Sequence, residues 1–144
     1  MKISSRTQYG LQILCYLALR YGGEPVQGSE LAAVTGSTEK YISQIMLTLR
    51  SSPLVHASRG AQGGYYLARD PKKITLLEAL GALEGEGLQF EALSGSPTRD
   101  VLAQSLRVVQ DLLETAFTQA LKSKTLQELV LQGQQIVGYG DWVI

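Results

Sequence analysis

At 144 residues, with 44% apolar and 18% charged side chains, the chain has room for one folded unit plus an appended helix or two, and its balance argues against disorder. No apolar run approaches the roughly 20 residues that cross a bilayer, and the start of the chain lacks the apolar stretch of a secretory signal, so a cytoplasmic protein without membrane association is expected. The formal net charge is zero but unevenly spread: residues 1–73 carry nine Lys/Arg against four acids and the remainder four against nine, so only the first half suits a polyanion.

Ser5-Arg6-Thr7-Gln8 has the form of a capping box, in which the Ser hydroxyl and the Gln amide each meet a free backbone N–H, and it predicts a helix to about Leu19. Tyr9, Leu11, Ile13, Leu14, Tyr16, Leu17 and Leu19 make that helix apolar on most sides, which suits a position between other elements. Tyr21-Gly22-Gly23-Glu24-Pro25 ends it. A short helix through Glu30–Val34 then stops at Gly36, and a second opens at Thr38, a good N-cap. The turn of about three residues between them is the length a helix-turn-helix uses.

In the second of these helices Ile42, Ile45, Met46 and Leu49 recur at i, i+3, i+4, i+7 and share one face. Lys40, Tyr41, Ser43, Gln44 and Thr48 are left outside, hydrogen-bonding side chains near the start of a helix, where a recognition helix meets base edges; a plain solvated face has the same pattern. Pro53 stops the helix. Leu54–Arg59 and Tyr65–Ala68 read as two strands around Gly60-Ala61-Gln62-Gly63-Gly64, a hairpin that would serve as a wing. Arg59 at its base is suited to phosphate or to a narrow minor groove.

Thr75-Leu76-Leu77-Glu78 is a second capping box, opening a helix to about Leu83, and Glu84-Gly85-Glu86-Gly87 closes it. The stretch through Ser94-Gly95-Ser96-Pro97 reads as a linker, with Ser96-Pro97 predicting the start of the longest helix, to about Lys122. There Leu102, Leu106, Val109, Leu113, Ala116 and Ala120 are spaced as the heptad seam of a two-helix contact, within the chain or between two copies. Thr125-Leu126-Gln127-Glu128 is a last capping box before a short helix and an aromatic tail. The expected fold is mainly α with a small β-hairpin: a winged helix-turn-helix domain (1–85), a linker or sensor loop (86–97), and a long C-terminal dimerisation helix with a short helix and tail (98–144).

Cys15 is the only cysteine and His56 the only histidine, which excludes an intrachain disulfide or a cysteine-based metal site within one chain. Cys15 lies in the apolar first helix, where packing is expected rather than redox sensing, and His56 is expected at the surface or facing DNA. With no convergent acid, base and nucleophile and no phosphate-binding glycine loop, an enzyme is not expected. The competing class is a winged-helix protein-interaction module that acts with a partner protein and without DNA.

The segments Ser5-Arg6-Thr7-Gln8-Tyr9-Gly10-Leu11, Glu39-Lys40-Tyr41-Ile42-Ser43-Gln44-Ile45 and, above all, Arg59-Gly60-Ala61-Gln62-Gly63-Gly64-Tyr65-Tyr66-Leu67-Ala68-Arg69 resemble the Rrf2 family of bacterial winged-helix regulators. The resemblance extends through Ile74-Thr75-Leu76 and Thr125–Val130 and so spans nearly the whole chain. It implies a homodimer that presents two recognition helices to successive major grooves of palindromic double-stranded DNA, with wings at the flanking minor grooves. On it, base reading falls to Thr38, Lys40, Tyr41, Ser43 and Gln44, wing contacts to Arg59 and Gln62, and backbone anchoring to Lys2, Ser4 and Arg6.

Three departures qualify the resemblance. Relatives that hold an iron–sulfur cluster place three cysteines between wing and dimer helix, whereas residues 87–96 here contain none, so no such cofactor is expected. Some relatives have glutamate where this chain has Ser43, and Pro53 replaces a frequent glycine. The signal would then be a small-molecule or protein effector, with Leu88, Phe90 and Leu93 marking a candidate effector pocket.

Overall fold

The computed structural model describes residues 3–85 and 100–138; the expectations for Lys2, for the linker with Leu88, Phe90 and Leu93, and for the aromatic tail lie outside the described residues. The first helix, α1 (Ser5–Leu19), is capped by Ser4, one residue before the expected Ser5. Ser4 oxygen accepts the Thr7 N–H at 3.2 Å, and its hydroxyl also lies within reach of the Thr7 hydroxyl and the Glu84 carboxylate (3.1 and 3.3 Å). That link to the end of a later helix favours Ser4, and Gln8 then donates to the Ile3 carbonyl at 3.2 Å instead of closing a box. The apolar character of α1 has the expected result: Ile13, Leu14 and Leu17 are fully buried, and α1 touches most of the other elements.

Two short helices follow, α2 (Gly28–Thr35) and α3 (Glu39–Arg50). Gly36 ends α2 in the left-handed region (φ 67°), and Thr38 caps α3 by accepting the Tyr41 N–H at 3.2 Å. Ile42, Ile45, Met46 and Leu49 are all buried, as their spacing predicts, and seat α3 against the core that α1 organises. Strands β1 (Val55–Ser58) and β2 (Gly64–Leu67) pair antiparallel, Val55 opposite Leu67 and Ser58 opposite Gly64. Val26, just before α2, exchanges both backbone hydrogen bonds with Tyr65 (2.9 and 2.8 Å), so the wing is fastened to the entry of the helix-turn-helix.

A 3-10 turn (Pro71–Lys73) leads to α4 (Leu76–Glu84). Thr75 caps it, but the Glu78 carboxylate pairs with Arg69, so half of the expected box forms. The long helix α5 (Val101–Lys122) opens on Asp100, whose backbone is extended and whose carboxylate accepts the Leu102 N–H at 3.4 Å. It begins after the expected Ser96-Pro97 because Asp100 is itself a strong N-cap residue with helix formers behind it. Helix α6 (Leu126–Ile136) carries the complete capping box of Thr125 and Glu128. Leu76 N–H donates to Lys124 (2.8 Å) and Leu126 N–H to Ile74 (2.9 Å), which sets the starts of α4 and α6 side by side and places Leu126 in the common core.

Helices α1 and α2 are also joined by polar groups. Tyr16 hydroxyl donates to Glu30, and Arg20 bridges to the same carboxylate at 2.6 Å. The Tyr16 hydrogen bond, with the Arg20 charge helping, holds the Glu30 carboxyl below the usual carboxylate range, while the Glu30 contact pushes the Tyr16 hydroxyl up. A depressed carboxyl stabilises the fold above its unfolded pKa and ceases to do so as pH falls through its folded pKa. Wild type should therefore melt slightly above Glu30→Gln at pH 7, and the gap should close below about pH 4. The pair is partly exposed and screened, so a gap that persists at pH 3 would assign the effect to packing.

Candidate nucleic-acid interface

Burial of one face of α3 fixes which side chains stand on the other. Thr38, Lys40, Ser43 and Gln44 are all exposed, and so is Leu47 at 65%, an apolar side chain on an otherwise polar face. Tyr41 is half-buried, its ring edge-on to Tyr9 with centroids 5.6 Å apart, so its position is set by α1. Arg6 is placed by the first turn of α1 and donates to the Thr48 hydroxyl, linking the start of α1 to the last turns of α3. Ser4, at the same end of α1, has its hydroxyl engaged as the helix cap.

Arg59 and Gln62 are exposed on the wing. The loop between them is held from outside the hairpin: Gln27, at the N-cap position of α2, makes no capping bond and donates instead to the Ala61 carbonyl at 3.2 Å. A groove of about 460 Å³ runs between α2, the end of α3 and the wing, lined among others by Gln27, Arg50, Ser58, Arg59 and Tyr65. Neither Arg50 nor Gln27 was selected from the sequence. Arg50 stands two turns beyond Ser43 on the same face, the i+7 spacing that could have found it; Gln27 carries no local signal, since its partner is 34 residues away.

The seam of α5 is exposed in the single chain: Leu102 at 73%, Leu106 at 42%, Val109 at 45% and Leu113 at 48%, with Ala116 and Ala120 exposed beside them. Only Leu121, near the C-terminal end, is buried. Among the described residues no segment of the same chain covers this stripe.

Cys15 is half-buried, and burial pushes its thiol up, which keeps it protonated and unreactive at neutral pH. His56 is exposed on β1, its ring against Tyr66. Among the described residues no three His, Cys, Asp or Glu side chains cluster as metal ligands would, and no helix is long and apolar enough to cross a membrane.

Residues 3–132 match the family model described as "Rrf2: Iron-dependent Transcriptional regulator". The "HTH-type transcriptional regulator CymR" of Bacillus subtilis is 34% identical over 127 residues, covering 87% of this chain and 92% of that protein. A solved structure of "T. potens IscR" superposes with a TM-score of 0.75 at 31% identity, covering 94% of this chain and 90% of the other. The structure of CymR, "the Global Cysteine Regulator of B. subtilis", gives a TM-score of 0.75 at 30% identity, covering 92% and 98%.

Proposed function

Because the chain belongs to the Rrf2 family of transcriptional regulators, we propose that it is a sequence-specific repressor that binds a palindromic operator in double-stranded DNA as a homodimer and works without an iron–sulfur cluster. The observation that carries this reading is the free polar face of α3 on a fully buried opposite face, which offers Thr38, Lys40, Ser43 and Gln44 to base edges in a major groove. Tyr41, propped by Tyr9, orients the first turn of that face. Leu47 adds an apolar surface of the kind that meets a thymine methyl group. Arg59 and Gln62 extend the contact from the wing, and anchoring to the DNA backbone falls to Lys2, Ser4 and Arg6, the last of which also bonds Thr48 of α3.

The exposed stripe Leu102, Leu106, Val109, Leu113, Ala116 and Ala120 supports pairing of α5 with α5 of a second copy. Dyad symmetry then doubles every contact and makes half-site spacing part of recognition. On this assignment residues 1–85 read the duplex, and the dimerisation segment 98–144, through α5, sets the distance between two readers.

The family description is iron-dependent, and the donor set here does not fit a cluster. One cysteine per chain, half-buried in α1 with a protonated thiol, and one exposed histidine on β1 cannot supply the thiolates that iron–sulfur clusters need. The signal is therefore assigned to a small molecule or a protein effector, with Leu88, Phe90 and Leu93 as its candidate pocket.

Selection of bound sequences from random duplexes tests the reading in one step. A two-fold-symmetric motif with half-sites about one helical turn apart is expected; recovery of no motif, with no binding at low salt, would leave a protein-interaction module instead. Within the motif, Leu47→Ala should weaken binding about as much as replacing the contacted thymine by uracil, and the two changes together should cost no more than one. A thymine-independent loss would remove Leu47 from base reading.

A further inference from the structure

Five arginines lie in the described part of the DNA-reading half, and three have partners: Arg6 with Thr48, Arg20 with Glu30 and Arg69 with Glu78. Arg50 and Arg59 have none among the described residues, and both open onto the groove between α3 and the wing. No carboxylate lines that groove. Two unpaired cations on one concave wall repel each other, and an anion between them would remove the repulsion and use the planar donor fork of each.

On the premise that the chain binds duplex DNA, we infer that Arg50 and Arg59 form one two-guanidinium seat for a single phosphodiester of the DNA backbone. The backbone of the wing that carries Arg59 is fastened at two points. Val26 and Tyr65 bond it at its base and Gln27 bonds it at Ala61, so Arg59 does not depend on the loop alone for its position. Arg50 is fixed from the other side by the last turn of α3, whose Leu49 is fully buried. Gln27 is therefore a positioning residue: by donating to the wing rather than capping α2, it ties the wing loop to the start of α2 beside the groove. The seat assigns Arg59 to the backbone and makes its contribution independent of the flanking sequence, because phosphate contacts position a protein without reading bases.

The test uses the full-length protein and compares wild type with Arg50→Ala, Arg59→Ala and the double variant on the selected duplex and on a scrambled one. Each single change should weaken both duplexes by a similar factor, and the slope of log affinity against log salt should fall by about one for the double variant, the loss of one shared phosphate. A fall of about two in the double variant would mean separate contacts and overturn the shared seat. Equally contrary would be an Arg59→Ala loss confined to duplexes with A·T-rich flanks, the mark of minor-groove reading, or an Arg50→Ala variant indistinguishable from wild type in affinity and slope. Melting temperatures should not fall in any variant, since both side chains are exposed and make no stabilising contact among the described residues. The arginine Nε–H resonances separate the two sources of phosphate: they should move on addition of duplex, and movement with millimolar inorganic phosphate but not with duplex would make the groove a free-anion site and refute the proposal. Wild type that binds no duplex would refute the regulator reading itself, a different result from a wild type that binds while Arg50→Ala matches it.

Discussion

A protein carrying Leu106→Glu and Leu113→Glu together is expected to sediment as a monomer at micromolar concentration and to lose roughly 100-fold or more in affinity for a two-half-site duplex. The two leucines lie two turns apart on the exposed stripe of α5, so a pairing helix would have to bury two carboxylates without partners. Because neither side chain belongs to the core of its own chain, the variant should keep its helical content and a melting curve like that of wild type measured as monomer. Binding to an isolated half-site should change little. A variant that remains dimeric would place the interface off this stripe, and one that unfolds would show that α5 contributes to the stability of the single chain.

Substitution of Gly64 by valine should produce a large loss of stability. Its backbone is at φ +155°, a conformation that side chains rarely adopt, and a Cβ there would stand 2.5 Å from the Val26 carbonyl oxygen and 2.6 Å from its carbon. Those are backbone atoms of the bridge to Tyr65, so relief requires breaking one or both hydrogen bonds at 2.9 and 2.8 Å. Backbone strain together with lost bonds amounts to about 3 kcal/mol, or on the order of 10 °C in melting temperature for a chain of this size. Thermal unfolding measures it directly. A drop of under about 2 °C would mean that the wing detaches from Val26 at little cost, and duplex affinity should then be followed in the same variant.

Much of the architecture is written in local pattern, and the exceptions share a physical cause. The i, i+3, i+4, i+7 run of Ile42, Ile45, Met46 and Leu49 specifies both the helix and its buried side, and from it the exposed residues Thr38, Lys40, Ser43 and Gln44. The glycine-rich hairpin and the Thr125–Glu128 box are equally legible, because each depends on residues a few positions apart. Helix starts were displaced where two residues compete to cap: Ser4 took the place of Ser5, aided by Glu84 some 80 residues on, and Asp100 opened the helix expected from Ser96-Pro97. What the pattern does not carry is pairing between distant segments. The Gln27 hold on the wing, the Arg6 bond to Thr48, the Val26–Tyr65 bridge and the groove that Arg50 and Arg59 both line all depend on the folded arrangement. The site was therefore legible as a helix face and a wing, but not as the groove between them.

The backbone bonds that clasp Thr125 to Thr75 fasten one end of α5 to the core from which α3 projects. A helix of 22 residues is about 33 Å long, so if two copies pair along it as proposed, it would behave as a lever with its fulcrum at their crossing. A tilt of about 5° about a crossing at mid-helix, roughly 16 Å from the clasped end, would carry that end through about 1.4 Å and the two ends together through about 3 Å, close to the 3.4 Å rise of one base-pair step on a strand. On the proposed pairing, a rock of α5 by a few degrees would change the reach between the two reading heads by an amount comparable with one base-pair step, without altering a residue of α3 or the wing.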